Sequence, residues 1–191
     1  MADDATTEGI APAHLTRRSF LAAGVAAAAA STLAWPAAAA PRILRERELH
    51  IQNAHTGEAF RDVYWANGRQ VPTAFKRLRW LMRDFRTDEV VAIDPTLIDL
   101  LYGIQTRVGH GKPLVLLSGY RSPETNQVLM SEGHAVAENS MHVVGKAADI
   151  HIQGVQLRYV SRAAMSFRAG GVGTYWHNNF VHVDTGRVRF W

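Results

Sequence analysis

The sequence contains no cysteine among its 191 residues. Disulfide bonds, thiol catalysis and cysteine-based zinc sites are therefore excluded, and any metal site has to use histidine, carboxylate and other oxygen ligands. Repeats and low-complexity segments are also missing after Ala40. A chain of this length with 47% apolar residues can form one well-packed core but not two large ones, so we expect a single globular domain.

A strongly apolar run of membrane-spanning length is absent as well, since a span needs about 20 such residues. The nearest candidate, residues 15–40, is alanine-rich, is interrupted by a glycine and a proline, and begins beside the twin arginine Arg17-Arg18. We interpret residues 1–40 as a twin-arginine export signal, with an uncleaved anchor as the alternative. Residues 41–191 are then a periplasmic domain with no transmembrane span once the signal is removed.

Negative charge is scarce. Of the 21 basic and 17 acidic residues, two basic and three acidic ones lie in residues 1–40, which leaves 19 against 14 in the remainder. An excess of positive charge suits an anionic surrounding such as a cell wall or a membrane surface. Because the protein is expected outside the cytoplasm, we expect no nucleic-acid partner, and we expect a monomer.

Periodic patterns predict an α+β fold. Alternating polarity in "RELHIQN" and "AFRDVYW" predicts a hairpin, and apolar residues at helical spacing predict one helix over residues 72–86 and a second from Pro95, capped by Asp94. "PLVLLS" predicts a buried strand, and Ser122-Pro123 a third helix. "KAADIHI", "VQLRYVSRAAMSFRAG", "GVGTYW" and "FVHVDTG" predict a strand, a helix and a final antiparallel pair. Helices segregated from a small, mainly antiparallel sheet define the α+β class.

Two histidines and an aspartate stand where one loop and two strands can direct them to one point. His142 precedes the strand that carries Asp149, and His182 lies on a later strand. Two imidazoles and a carboxylate suit zinc, and three protein ligands leave the fourth position that a catalytic zinc needs. Gly145 allows a tight turn, and Ser140 can hydrogen-bond near the ligands. Spacing alone favours the alternative that the three residues are ordinary half-buried polar side chains.

The motifs add a resemblance. "SMHVVGKAAD", followed about thirty residues later by "FVHVD", resembles the ligand motifs of the LAS zinc metallopeptidases, which include D-Ala-D-Ala carboxypeptidases, lysostaphin-type enzymes and the hedgehog domain. "AHTGE", "SGYRS", "RAGGVG" and "FVHVDTG", in this order, are similar to the murein endopeptidase K-like branch. The resemblance covers nearly all of residues 43–191 and implies a hedgehog/D,D-peptidase type of fold.

The resemblance also implies an activity and a set of roles. It implies a zinc-dependent hydrolase with one Zn²⁺ per chain that cleaves peptide cross-links between peptidoglycan stems. The implied metal ligands are His142, Asp149 and His182. The implied substrate-binding and catalytic arginine is Arg121 of "SGYRS", whose guanidinium would stabilise the oxyanion of the tetrahedral intermediate.

The general base is where the chain departs from this family. Many relatives have a glutamate three residues before the last histidine or a histidine two before it, and here these positions hold Asn179 and Phe180. Two substitutes remain, Asp184 and His151, each two residues from a predicted ligand and therefore on its strand face. Asp184 is equally interpretable as a partner that orients His182.

Two other functions remain open at this stage. The missing base is compatible with a zinc-retaining, non-catalytic module that binds the cell wall, and the same chemistry on another substrate would be a D,D-carboxypeptidase. The sequence does not indicate which type of cross-link is cleaved.

Overall fold

Strands form the framework that carries the candidate site. Within residues 46–134 and 136–191, which the computed structural model describes, eight strands form one sheet in the order β3-β2-β1-β4-β5-β7-β6-β8. The strands are β1 Arg47–Asn53, β2 Ala59–Ala66, β3 Arg69–Gln70, β4 Leu114–Ser118, β5 Ala147–Ile152, β6 Gly171–Tyr175, β7 Phe180–Asp184 and β8 Arg189–Phe190. The predicted export signal lies outside the described residues.

The helices in this part of the chain are α1 Pro72–Leu81, α2 Pro95–Ile104, α3 Pro123–Ser131 and α4 Leu157–Phe167. Three of them begin at a proline, whose fixed φ and missing N–H suit the first helical position. As predicted, Asp94 caps α2, accepting a hydrogen bond from the Thr96 amide at 2.9 Å. No helix in the described part is both long and apolar enough to cross a membrane.

The helix predicted over residues 72–86 ends earlier, at Leu81, so the prediction was wrong for its last five residues. The Met82 carbonyl accepts a hydrogen bond from the Tyr120 amide at 2.7 Å. The Asp84 carboxylate accepts from the Arg86 amide at 3.0 Å and from Ser122 N at 2.8 Å. The non-local partners Tyr120 and Ser122, together with the side-chain bond to the Arg86 amide, replace the bonds that another helical turn would have formed.

The core lies on one face of the sheet. Leu49, Ile51, Leu114 and Ile150 point into it together with apolar residues of α1, α2 and α4. Because side chains alternate along a strand, the neighbours of these residues occupy the opposite face. The predicted ligands on β5 and β7 belong to that second face.

The α+β prediction is confirmed, and the sheet is mixed. Among the described strands, β1 pairs with β4 and β6 with β8 in parallel, and the other five pairings are antiparallel. The chain between β1 and β4 contains β2, β3 and two helices, a connection long enough to return the chain in the same direction. The short strand β8 was not predicted.

Candidate active site

An open cleft of about 480 Å³ lies on the sheet face opposite the core. It is bounded by the end of the sheet that contains β5, β6, β7 and β8, and by the chain segment before β5. The lining residues used below are Arg121, Ser140, His142, Asp149, Tyr175, His182, Arg189 and Trp191.

The three predicted ligands converge in this cleft. His142 Nε2 and His182 Nδ1 are 3.2 Å apart, and Asp149 Oδ1 lies 2.9 Å from the His182 nitrogen and 3.3 Å from the His142 nitrogen. Bond lengths of about 2.0–2.1 Å in tetrahedral coordination place neighbouring ligand atoms about 3.3 Å apart. The spacing of these atoms therefore fits a single divalent metal ion.

Strand register and a tight turn produce this convergence. Asp149 on β5 lies directly opposite His182 on β7. His142 lies in a 3₁₀ turn, Met141–Val144, where the Ser140 hydroxyl accepts a hydrogen bond from the His142 amide at 3.3 Å. Gly145 ends the turn at φ 66°, and a Cβ there would overlap the Ala92 carbonyl oxygen. Ser140 and Gly145 thus set the position of His142.

Hydrogen bonds select the tautomer of each histidine. His142 Nδ1 lies 2.6 Å from the Gly119 carbonyl oxygen, so we assign the proton to Nδ1 and a free lone pair to Nε2. His182 Nε2 lies 3.0 Å from the Asp184 carboxylate, so its proton is assigned to Nε2 and its lone pair to Nδ1. Both lone pairs therefore point at Asp149, an arrangement typical of metal-binding histidines.

Without a cation between them, two lone pairs and a carboxylate oxygen repel each other. The pKa shifts of Asp149 and His182 agree with this requirement for a positive charge at the centre of the cluster. Burial opposes ionisation of Asp149, but His142 and His182 outweigh it and lower the pKa of this carboxyl. Burial likewise favours neutral His182, yet Asp149 and Asp184 raise its pKa. The electrostatics therefore favour a proton or a metal ion at the centre.

Asp184 is fully buried behind His182 and is saturated with hydrogen bonds. Its Oδ1 accepts from the Gly171 amide at 2.9 Å, the Gly186 amide at 2.8 Å and Arg189 Nη1 at 3.2 Å. Its Oδ2 accepts from His182 Nε2 at 3.0 Å and Arg189 Nη2 at 2.8 Å. Although burial opposes ionisation, these donors together lower the pKa of Asp184. The carboxylate has no face open to the cleft solvent.

Arg121 lines the cleft beside the ligand cluster and is only 7% exposed. One guanidinium nitrogen donates to Asn126 Oδ1 at 3.2 Å, another lies 3.9 Å from Asp149 Oδ2, and Nε has no hydrogen-bond partner in the described part of the chain. Burial lowers the pKa of Arg121, and Asp149 counteracts that effect. Arg121 therefore places a buried cation beside the ligand cluster, with one terminal nitrogen facing Asp149 at a distance too long for a hydrogen bond.

His151 lies on β5 opposite Val115 and is not one of the residues that line the cleft. Its Nδ1 is buried without a hydrogen-bond partner among the described residues, and burial lowers its pKa. Asn179 is exposed with φ 54°, in the turn between β6 and β7. His151 is thus not brought together with the other predicted site residues.

Sequence reasoning missed several residues that shape the site. The carbonyl of Gly119 orients His142, and Asp84 holds the turn that carries Arg121 through the amide of Ser122. Arg189 binds Asp184 through both of its terminal nitrogens. The "SGYRS" motif marked the first of these, since it contains Gly119. Asp84 and Arg189 lie outside every quoted motif, so no local signal pointed to them.

An α+β fold whose sheet carries a buried His-Asp-His set in an open cleft is the arrangement expected of the LAS class of peptidases. Residues 41–191 match the family model described as "Peptidoglycan L,D-endopeptidase MepK". The chain belongs to this family. Membership confirms the predicted family and the predicted class of enzyme, a murein endopeptidase.

Individual relatives agree with the family match. The chain is 42% identical over 175 residues to peptidoglycan L,D-endopeptidase MepK of Escherichia coli strain K12, which covers 92% of this chain and 96% of that protein. It is 41% identical over 172 residues to the probable peptidoglycan L,D-endopeptidase MepK of Haemophilus influenzae, with 90% of each protein covered.

Proposed function

We propose that this chain is a zinc-dependent peptidoglycan endopeptidase that cleaves L,D cross-links between peptide stems in the periplasm. The observation that carries the proposal is the convergence of His142, Asp149 and His182 within 3.3 Å of one another. The names of the relatives support the choice of L,D bonds.

Zinc is the ion that this donor set suits best. Two neutral imidazoles and one carboxylate, with no cysteine in the chain, match the ligands of catalytic rather than closed structural zinc sites. When bound, zinc supplies a Lewis acid that polarises the scissile carbonyl and promotes ionisation of water near neutral pH. His142 would bind through Nε2 and His182 through Nδ1, because their other nitrogens are occupied by Gly119 and Asp184.

The residues of the chain then perform two tasks around the substrate. Arg121 stabilises the negative charge that develops on the carbonyl oxygen, since its guanidinium keeps its charge and one of its terminal nitrogens lies beside the ligand cluster, 3.9 Å from Asp149 Oδ2. Asp184 holds His182 in the tautomer that leaves Nδ1 free, and Arg189 keeps Asp184 ionised and in place. Because five hydrogen bonds saturate the Asp184 carboxylate, we propose this orienting role rather than that of the general base.

Replacing Asp184 with asparagine tests this choice. An amide offers one acceptor oxygen to the five donors, so we expect zinc affinity to fall about 10- to 100-fold and the free energy of unfolding to fall by about 1–3 kcal/mol. Zinc affinity, unfolding and cleavage at saturating zinc are the measurements. An Asp62→Asn variant, whose carboxylate is half exposed on β2, is the control. Full zinc affinity with no activity would instead identify Asp184 as the base.

The activity itself is tested on purified muropeptide dimers. Zinc-loaded protein is incubated separately with dimers joined by L,D cross-links, with dimers joined by D,D cross-links and with uncross-linked stems, and products are identified by mass. We expect monomers from the L,D dimers. Loss of only the terminal D-alanine from uncross-linked stems would indicate a D,D-carboxypeptidase. Metal-dependent binding to sacculi without any cleavage would indicate a non-catalytic module.

The export route is a separate proposal, supported by the twin arginine at Arg17-Arg18. We expect a chain with both arginines changed to lysine to remain as an unprocessed precursor in the cytoplasm, because the pair is read as an address by the export machinery. Cell fractionation and immunoblotting measure this. Normal amounts of processed periplasmic protein from the double variant would contradict the proposal.

A further inference from the structure

Tyr175 lines the cleft but takes no part in the reaction proposed for the metal ligands and Arg121. It lies on β6 opposite Phe180, and the two rings stack with centroids 4.5 Å apart and planes 14° apart. This stacking restricts the orientation of the tyrosine ring. Arg121 lines the same cleft. Two groups that can donate to an anion therefore occupy the same cleft.

The hydroxyl of Tyr175 makes one hydrogen bond within the described part of the chain, to Trp191 Nε1 at 3.1 Å. An indole nitrogen can only donate, so the tyrosine oxygen is the acceptor and its own proton remains available. In a cleft that binds a peptide, a donor with an unused proton can meet the carbonyl oxygen of the substrate.

Trp191 is itself held firmly. Its amide donates to the Val172 carbonyl at 3.2 Å, and its carbonyl accepts from the Thr174 amide at 2.9 Å. Its indole lies over Gly173, where the Cβ of any other residue would overlap the ring. The ring centroid of Trp191 is 5.5 Å from that of His182. The indole therefore lies between the ring of His182, a proposed metal ligand, and the hydroxyl of Tyr175, to which it donates a hydrogen bond.

We propose that Tyr175 is a second donor to the oxyanion, and that Trp191 and Gly173 are positioning residues that aim its hydroxyl. The proposal rests on the peptidase function proposed above. As water adds to the scissile carbonyl carbon, the π electrons of the C=O bond move to its oxygen, and the Tyr175 O–H donates a hydrogen bond to that charge without losing its proton. When the C–N bond breaks, the oxyanion re-forms its C=O bond and the C–N electrons go to nitrogen, which takes up both protons released by the attacking water and leaves as an ammonium group. The products are a carboxylate and a protonated amine.

A Tyr175→Phe variant removes the hydroxyl and keeps the stacked ring. We expect kcat on L,D-cross-linked dimers to fall about 10- to 100-fold, because Arg121 remains as the other donor, while KM changes less than about twofold. Zinc content is expected to stay the same. A dimer analogue with a phosphinate in place of the scissile amide should bind more weakly by the same factor as kcat falls, measured by calorimetry.

Two further variants test whether Trp191 and Gly173 position the hydroxyl of Tyr175. Trp191→Phe keeps an aromatic ring without the N–H, and Gly173→Ala displaces the indole, so both should lose part of kcat and of phosphinate affinity with zinc retained. Tyr159→Phe, a 44% exposed tyrosine on α4, is the matched control and should behave like the wild type.

The outcomes are distinguishable. Unchanged kcat and phosphinate affinity in Tyr175→Phe, or a loss confined to KM, would overturn the role of Tyr175 while leaving the peptidase function intact. Absence of cleavage by zinc-loaded wild-type protein would instead overturn the proposed function on which this inference rests.

Discussion

A His182→Ala variant is expected to purify without zinc and to release no products from cross-linked muropeptides. The change removes one of three donor atoms and also takes away the hydrogen bond that His182 donates to buried Asp184. Loss of an outer partner of a ligand typically costs 10- to 100-fold in metal affinity, and loss of the ligand itself should cost more than about 100-fold. Metal analysis and zinc titration measure the effect.

The chain offers a matched control for this variant. His177 is an exposed histidine in the turn between β6 and β7, and His177→Ala should retain one zinc per chain and full activity. Asp149→Ala should behave like His182→Ala. One zinc per chain in either of these two variants would show that the three side chains are not the metal site.

An Arg121→Ala variant is expected to retain its zinc and to lose about 10²–10³ in kcat, the usual cost of removing one oxyanion donor. The reason is that the guanidinium is buried beside the cluster, with one terminal nitrogen 3.9 Å from Asp149 Oδ2. Its positive charge matters most when the carbonyl oxygen becomes negative. Steady-state kinetics and metal analysis test the two parts of the expectation.

Two companion variants sharpen this test. Arg121→Lys keeps a charge but loses the planar fork of donors, so its kcat should lie between that of wild type and alanine. Arg77→Ala, on the exposed side of α1, removes a surface arginine and should have no effect. If Arg121→Ala loses zinc, the arginine acts mainly by holding Asp149.

Much of the fold was predictable because its signals are local. Alternation in β1 and β2, prolines at helix starts and the Asp94 cap each depend on a few neighbouring residues. The end of α1 was not predictable in this way. Met82 and Asp84 form hydrogen bonds with the turn that contains Tyr120 and Ser122, more than thirty residues away, and these bonds compete with helical ones.

The family and the three candidate ligands were determined by the sequence alone, since His142, Asp149 and His182 lie in ordered motifs with fixed spacing. Strand alternation also placed Asp184 on the face of His182. The role proposed for Asp184 depends on the tertiary structure, because the same residue is compatible with a base if exposed and with an orienting partner if buried. The Gly171 amide reaches it from β6, and the Gly186 amide and Arg189 reach it because the chain turns back after β7, so that these donors use its lone pairs. The protonation and hydrogen bonding of a side chain depend on all of its neighbours in space. Sequence spacing predicts only the neighbours that lie on the same strand.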